Sequence, residues 1–466
     1  MATRFVPIDR DTPLLLPPNL RDWVPADHLV HFVLDAVAAL DLHQVKVNER
    51  GTGSEQYPPT MLLALLIYSY ATGTFGSRRI EQSTYDSVPV RLLTADTHPD
   101  HDTLCTFRRE NPTLLTESFV KVLQLAQHLK VLQVGQITVA VDGTKVLANA
   151  SKHSAVSYER AGQMIQRLEV EVQQLVAKAE QADSAPLQDG LTLPEEITRR
   201  QERQAALAKA RAEIEARAQA RYAVALAEHE KKMTERAARK ERGEKVGGKP
   251  PKAPSPTPDT QDQYNFTDGE SRIMKAGNGN HFEQCYNAQA AVEVASRLIV
   301  GERVSQSPND KQELIADRQA IPAAAGSVAA VLIDSGFYSE HAVRAVEQTS
   351  AGQPSGTKVY AAMERKSHHR SVADLEKKEE PSAPAAGATV SEVMKHRLAT
   401  TAGKQKYKLR QQTVEPVFGI IKSVLGFRRF LLRGLEQVKL EWALVCVAYN
   451  LKRLHRLAGP KLAGAG

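Results

Sequence analysis

Two apolar runs that each end on an aspartate constrain the fold of this chain more than any other feature. Residues 137–142 and 328–334 are rich in Val, Ile, Leu and Ala, and a glycine follows each aspartate within two positions. Such runs predict buried strands of an α/β core. Each strand would carry its acid, Asp142 or Asp334, to its C-terminal end just before a turn. Taken alone, either aspartate is also consistent with a plain turn-forming residue beside a glycine.

A third acid, Glu415, lies in a stretch at residues 413–422 that predicts the start of a helix. Thr413 is a suitable N-cap, and Pro416 is tolerated only in a first helical turn. The macrodipole favours a carboxylate at a helix start, so Glu415 alone reads as an ordinary capping or surface residue. Glu415 and Lys422 are seven residues apart, which would place them on one helix face.

The rest of the chain divides into a helical part, an insertion and a core. Residues 1–130 predict short helices with Arg pairs, which fits either a DNA-binding bundle or a helical domain with solvated arginines. Residues 156–263 are rich in Ala, Glu, Gln, Lys and Arg, and they contain a helix seam formed by Ile165, Leu168, Val172 and Leu175. They predict a long helical hairpin followed by a Pro/Gly linker. Residues 131–155 and 264–460 carry the strand-like runs and a closing helix. A helix is also expected at residues 310–321, and a polar, Pro/Ala-rich loop at residues 366–387.

Composition sets wider limits on the protein. With 466 residues, 42% of them hydrophobic, the chain can bury a sizeable core in two or three domains. A net charge of +7 permits a polyanionic partner without requiring one. Cys105, Cys285 and Cys446 lie too far apart to suggest a metal site or a disulfide framework. A reducing cytoplasm is therefore the expected location, and no signal peptide or membrane span is expected.

Three carboxylates delivered by an α/β core suit phosphodiester chemistry. Two divalent ions about 3.5–4 Å apart stabilise the attacking and leaving oxygens of an in-line displacement. Mg²⁺ prefers oxygen ligands and keeps several waters, so a few carboxylates are enough. Spacing alone is weak evidence, because the chain has 54 acidic residues.

At the level of motifs, the chain resembles insertion-sequence DDE transposases that have an RNase H-like core and an InsH-like helical N-terminal domain. The motifs that carry the resemblance are Tyr57-Pro58-Pro59, Ser77-Arg78-Arg79-Ile80-Glu81, Asp102-Thr103-Leu104-Cys105-Thr106-Phe107-Arg108-Arg109, Asp142-Gly143-Thr144-Lys145, Tyr286-Asn287-Ala288-Gln289, Asp334-Ser335-Gly336-Phe337-Tyr338 and Glu415-Pro416-Val417-Phe418-Gly419. It implies an RNase H-like mixed sheet flanked by helices, a helical N-terminal domain that binds DNA ends, and a long helical insertion.

The resemblance also implies a site. Asp142, Asp334 and Glu415 would be the catalytic, metal-binding triad for two Mg²⁺ ions, with Mn²⁺ as a substitute. Related transposases carry a Tyr-x2-Arg-x3-Glu-x6-Lys signature at the last acid. Tyr407, Arg410, Glu415 and Lys422 are similar to it, although four residues separate Arg410 from Glu415.

DNA is the partner that the resemblance implies, as the terminal inverted repeats of the element and as target. Water would attack the phosphodiester at the element end, and the freed 3′ hydroxyl would then attack the target. Lys422 would contact a phosphate, as would Arg410 and Tyr407. The basic segment at residues 426–434 would track the DNA backbone through Arg428, Arg429 and Arg433. Synapsis of two ends implies a homodimer.

Two other functions are compatible with the sequence. One is a catalytically silent DNA-binding protein derived from a transposase, which would bind DNA without cutting it. The other is an RNase H-fold nuclease that cleaves without joining strands.

Overall fold

The structure is a computed structural model that describes residues 19–40, 56–133, 135–181, 192–243, 248–276, 281–349, 351–363, 380–385 and 387–459. The chain forms two compact units. The core unit comprises Met1–Val146 and Asn287–Gly466, and the inserted unit comprises Leu147–Tyr286. The assignment of functions to the three predicted parts of the chain stays a prediction. The predicted loop at residues 366–387 lies mostly outside the described residues.

The described part of the chain begins with a group of helices, followed by strands that are interrupted by a long helical hairpin, and it ends with further helices. The strands are β1 (Gln136–Leu147), β2 (Ala155–Ser157), β3 (Gln263–Asn265), β4 (Arg272–Lys275), β5 (Phe282–Glu293), β6 (Ile299–Ser305), β7 (Ser327–Ile333) and β8 (Lys358–Ala361). The helices are α1 (Leu29–Ala38), α2 (Pro59–Ala71), α3 (Ser77–Asp86), α4 (Val88–Leu93), α5 (His101–Glu110), α6 (Pro112–His128), α7 (Tyr158–Gln181), α8 (Leu193–Glu241), α9 (Leu314–Gln319), α10 (Glu340–Glu347), α11 (Val390–Ala399), α12 (Thr401–Gly419) and α13 (Leu435–Ala458).

A mixed sheet forms the centre of the core unit. Its strand order is β6-β5-β1-β7-β8. β7 pairs in parallel with both β1 and β8, whereas β5 and β6 are antiparallel. β1 is buried over Val139–Val141 and β7 over Ala330–Ile333, as expected for central strands covered on both faces. The predicted fold class is therefore confirmed: a mixed sheet flanked by helices, compatible with an RNase H-like core, with a helical N-terminal region.

Helix α13 connects this sheet with the N-terminal helices. It packs against β6 on one side and against α2 and α6 on the other. The Trp442 indole donates a hydrogen bond to the Gln289 carbonyl at 3.0 Å, and the Asn450 side chain pairs with both backbone groups of Ile299. α2 is buried from Leu62 to Ala71, which explains why its sequence is apolar all round. Only a helix enclosed by other elements can bury such a surface.

The inserted unit contains the predicted helical hairpin. Helices α7 and α8 pack along each other, and Ile165 and Leu168 of the predicted seam contact a small core that includes Leu207. An ion pair between Arg200 and Glu171 joins the two helices at 3.1 Å. β2 and β3 pair as an antiparallel ribbon, and β4 pairs with the beginning of β5.

Two predicted helix boundaries are wrong. Residues 310–321 were expected to be helical from Asp310, but the helix begins only at Leu314, because the Asp310 carboxylate is held by side chains of β5. Thr413 does not cap a helix start. α12 begins at Thr401 with Thr400 as its N-cap, and Pro416 lies inside it.

None of the helices in the described part of the chain combines the length and apolarity needed to cross a bilayer.

Candidate catalytic site on the mixed sheet

Asp142 lies within a strand and not at its end. β1 continues through Gly143 to Leu147, so the expectation of a strand that stops at Asp142, and the alternative of an Asp-Gly turn, are both wrong. The parallel backbone pairing of β1 with β7 ends at Ala140 and Leu332. On its other side, β1 has β5 as its neighbour. The acid therefore sits where β1 extends beyond its parallel neighbour.

Asp334 follows the last residue of β7 at the same level of the sheet. Ala140 pairs with Leu332, so Asp142 and Asp334 are each two residues beyond the last recorded pair. The Asp334 carboxylate accepts hydrogen bonds from the backbone of Gly336 at 2.8 Å and Phe337 at 3.3 Å. Asp334 thus also forms the turn that the alternative interpretation of its sequence predicted.

Arg410 of α12 joins the two aspartates. Its guanidinium lies 3.3 Å from Asp142 Oδ2 and 3.9 Å from Asp334 Oδ2. The Arg410 side chain is 11% exposed, against 20% for Asp142 and 37% for Asp334. Tyr407, one turn earlier on α12, hydrogen-bonds to Arg410. One positive group therefore compensates two carboxylates that would otherwise repel each other.

The environment of Asp142 disfavours its charged form. Burial raises the pKa of Asp142 to about 7, against the opposing effect of Arg410 and with a further rise from the neighbouring Asp334 carboxylate. A carboxyl group that is costly to ionise in this position gains most from an additional cation.

Asp310 forms a polar cluster beside β1 that the sequence did not reveal. Its Oδ1 accepts hydrogen bonds from Asn287 Nδ2 at 2.6 Å and Gln289 Nε2 at 2.7 Å, and Lys145 Nζ lies 3.4 Å away. A Cβ added to Gly143 would lie 2.4 Å from Gln289 Nε2, so any larger residue at this position of β1 would displace side chains of this cluster. Asn287 and Gln289 belong to a motif recognised in the sequence, but nothing in the sequence links them to Asp310.

The third acid is not brought into the same group. Glu415 is exposed on α12, five residues beyond Arg410, and makes no hydrogen bond or ion pair with the described part of the chain. Thr413 lies mid-helix and donates its hydroxyl to the Leu409 carbonyl at 2.7 Å. Among the described residues, no group of three or more His, Cys, Asp or Glu side chains could hold a metal ion. The structure thus joins Asp142 to Asp334 and leaves Glu415 apart.

Lys422 lies in a π-helical turn, Ile420–Val424, that follows α12. Its Nζ donates a hydrogen bond to the Lys145 carbonyl at 2.8 Å. This contact ties the segment after Glu415 to the end of β1, three residues beyond Asp142. The phosphate contact expected for Lys422 stays a prediction.

Buried side chains hold the basic segment at residues 426–434 in place, and its arginines lie on the surface. Phe427 and Phe430 are buried and belong to the core. The buried Glu441 carboxylate accepts hydrogen bonds from the backbone N–H groups of Leu431 and Leu432 at 2.9 and 3.0 Å. The three arginines of the segment, Arg428, Arg429 and Arg433, are exposed. Their DNA contacts stay a prediction.

Two family models match the chain. A transposase DDE domain matches residues 376–455, and a transposase domain of the DUF772 type matches residues 18–110. The DDE match includes Arg410, Glu415 and the basic segment, whereas Asp142 and Asp334 lie outside it. No curated protein and no solved structure matches the chain. The resemblance to insertion-sequence DDE transposases is thereby confirmed.

Proposed function

We propose that this transposase cleaves DNA at the ends of its element and joins the freed ends to target DNA, with Asp142, Asp334 and Glu415 as its catalytic acids. The observation that carries the proposal is the pairing of Asp142 and Asp334 at one level of two parallel strands, around the single cationic group of Arg410. Two aspartates that share one cation form the kind of oxygen-rich pair that divalent ions bind.

The residues present fit a divalent cation. The Arg410 guanidinium marks the position where Asp142 and Asp334 favour positive charge, and the ligand atoms are carboxylate oxygens, which suit Mg²⁺ and Mn²⁺. Asp142 and Asp334 would hold the two ions, and Glu415 would complete the set from α12. Bound ions of this kind polarise the phosphoryl group and stabilise charge on the attacking and leaving oxygens.

The side chains around the acids have separate tasks in this mechanism. Arg410 screens the two carboxylates from each other before the substrate arrives, and its planar guanidinium suits a phosphate once it is released. Lys422 holds the Lys145 carbonyl and thereby the end of the strand that carries Asp142. The exposed arginines of the basic segment contact the DNA backbone and orient the duplex without reading its sequence.

The substrate in this proposal is double-stranded DNA, both as terminal inverted repeats and as target. A homodimer would hold two ends together, and the reaction would take place in the cytoplasm of a prokaryotic cell, on the nucleoid. The N-terminal helices at residues 1–130 would bind the DNA ends.

The test is an in vitro excision and joining assay with a donor that carries the DNA flanking this gene. D142N, D334N and E415Q should each lose Mg²⁺-dependent end cleavage by a factor of at least about 10³, while duplex binding stays near the wild-type value. E436Q is the matched control, because Glu436 is an exposed acid of the same family-matched segment and pairs only with Lys439 among described residues. Full activity in any of the three variants would exclude that residue from the triad.

The same assay separates the alternatives. Among the described residues, Glu415 does not form a three-acid metal group with the two aspartates, which favours the catalytically silent DNA-binding protein as the second candidate. That candidate predicts salt-sensitive binding with no cleavage in Mg²⁺ or Mn²⁺. An RNase H-fold nuclease would cut the donor but give no joined product.

A further inference from the structure

A cleft of about 310 Å³ opens in the inserted unit, where the beginning of α7 meets α8. The residues that line it include His153, Arg160, Met164, Arg203 and Phe266, and none of its described lining residues is acidic. All of them lie within Leu147–Tyr286, whereas the proposed catalytic acids belong to the core unit. Its volume is at the lower limit of ligand sites in proteins.

The two arginines of this cleft differ from other arginines of the hairpin. Arg167 pairs with Glu171 at 2.8 Å, Arg199 with Glu196 at 3.0 Å and Arg211 with Glu215 at 3.1 Å. By contrast, Arg160 and Arg203 form no ion pair with any described residue, although Glu and Asp are abundant nearby in the sequence. Both side chains are exposed, so two arginines without a carboxylate partner among the described residues are available to an anionic ligand at this cleft.

Arg203 is also held in place. Its guanidinium lies over the Phe266 ring, 5.0 Å from the ring centre. Stacking restricts the side chain before a ligand binds, so less conformational entropy is lost when its N–H groups form hydrogen bonds. A planar guanidinium can donate two parallel hydrogen bonds to the oxygens of a phosphate.

We propose that this cleft binds the phosphodiester backbone of duplex DNA through Arg160 and Arg203, so that the inserted unit is a second DNA-binding surface of the transposase. The proposal rests on the proposed function for the identity of the polyanion. A cleft this small, with charged arginines and one aromatic ring, accommodates a single phosphate and its sugar. Binding here is therefore expected to be insensitive to base sequence.

The test measures the binding of a fluorescein-labelled duplex from the DNA flanking this gene by fluorescence anisotropy at several salt concentrations. The full-length R160A/R203A variant should bind about tenfold more weakly and lower the slope of log K against log salt by about two, since each phosphate contact contributes about 0.9. The control R167A/R199A removes the same formal charge from the same hairpin, but from arginines that have carboxylate partners. Its slope should stay within about 0.5 of the wild type.

Folding of the variants is checked by circular dichroism. R160A alone removes no aromatic stacking, so it keeps the test valid if the loss of Arg203 disturbs Phe266. It should lower the slope by about one.

Three results would overturn the inference. The first is a slope of log K against log salt that is the same in folded R160A and R160A/R203A as in the wild type. The second is a loss of duplex affinity and slope in R167A/R199A that is as large as in R160A/R203A. The third is dAMP binding, measured by calorimetry, that R160A/R203A abolishes while duplex affinity stays unchanged, because the cleft would then be a site for free nucleotide. In all three cases end cleavage by the wild type would leave the proposed function intact. A wild type that neither binds nor cleaves the duplex would refute the proposed function itself.

Discussion

The replacement D142N should stabilise the core unit, by an amount that grows as the pH rises from about 4 to about 7 and is then constant. Burial raises the pKa of Asp142 from 3.8 to about 7. The folded state therefore holds a proton on Asp142 that the unfolded state releases between these two values. The associated stability is fully present below pH about 3.8 and is lost as the pH rises through about 7. At pH 8 the protein carries the whole cost of a buried carboxylate.

The magnitude follows from the pKa. A rise from 3.8 to about 7 corresponds to roughly 4 kcal/mol, because one unit is worth about 1.4 kcal/mol. Asparagine removes this cost, and the favourable effect of Arg410 on the carboxylate is already contained in the pKa of about 7. Because the amide only approximates a protonated carboxyl group, the gain is expected to be somewhat smaller than the full value of about 4 kcal/mol. D142N should therefore raise the free energy of unfolding by about 2 to 4 kcal/mol at pH 8, and by less than about 0.5 kcal/mol at pH 4.

Urea unfolding followed by tryptophan fluorescence measures this difference. The chain has two tryptophans, Trp23 and the buried Trp442, and both belong to the core unit, so the signal reports that unit. E415Q is the control, since it makes the same kind of acid-to-amide replacement at an exposed position of the core unit. Comparing variant with wild type at each pH cancels the titration of other acids. A D142N protein that is less stable at pH 8, or equally stabilised at pH 4 and pH 8, would refute the reasoning.

Two further predictions concern the surroundings of Asp142. G143A should cost about 1–3 kcal/mol of stability and reduce end cleavage with little change in DNA affinity. The reason is that its methyl group would lie 2.4 Å from Gln289 Nε2 and 2.7 Å from Asp310 Oδ1. An unchanged midpoint of thermal unfolding would show that these side chains move aside at no cost. K422M should lower end cleavage by about tenfold with unchanged duplex affinity, since Lys422 holds the Lys145 carbonyl; a lower salt slope in anisotropy titrations would instead show that Lys422 contacts phosphate.

Local sequence patterns were sufficient for the elements and the fold class. The apolar runs that contain Val139 and Val331 predict buried strands because only a covered sheet has room for such residues on both faces. The seam of the hairpin and the closing helix were equally readable, since helical periodicity is a property of the chain itself. The predicted helix boundaries were wrong where a long-range contact determined them. Asp310 does not start a helix because side chains of β5 hold its carboxylate.

The candidate site was only partly determined by the sequence. Its residues were identifiable as acids after strand-like runs, but the pairing of Asp142 with Asp334 depends on the register of β1 and β7, which the two segments establish only when they meet. The same holds for Arg410, which comes 268 residues after Asp142 and lies against it only because α12 packs near β7. Pro416 led to a wrong helix boundary. Proline is normally tolerated only in the first turn of a helix, but here it lies inside α12, which is stabilised by packing. The sequence alone thus determined which chemical groups are available. The tertiary structure decided which of them interact with the same charged group, because Coulomb energies depend on distances that no local pattern encodes.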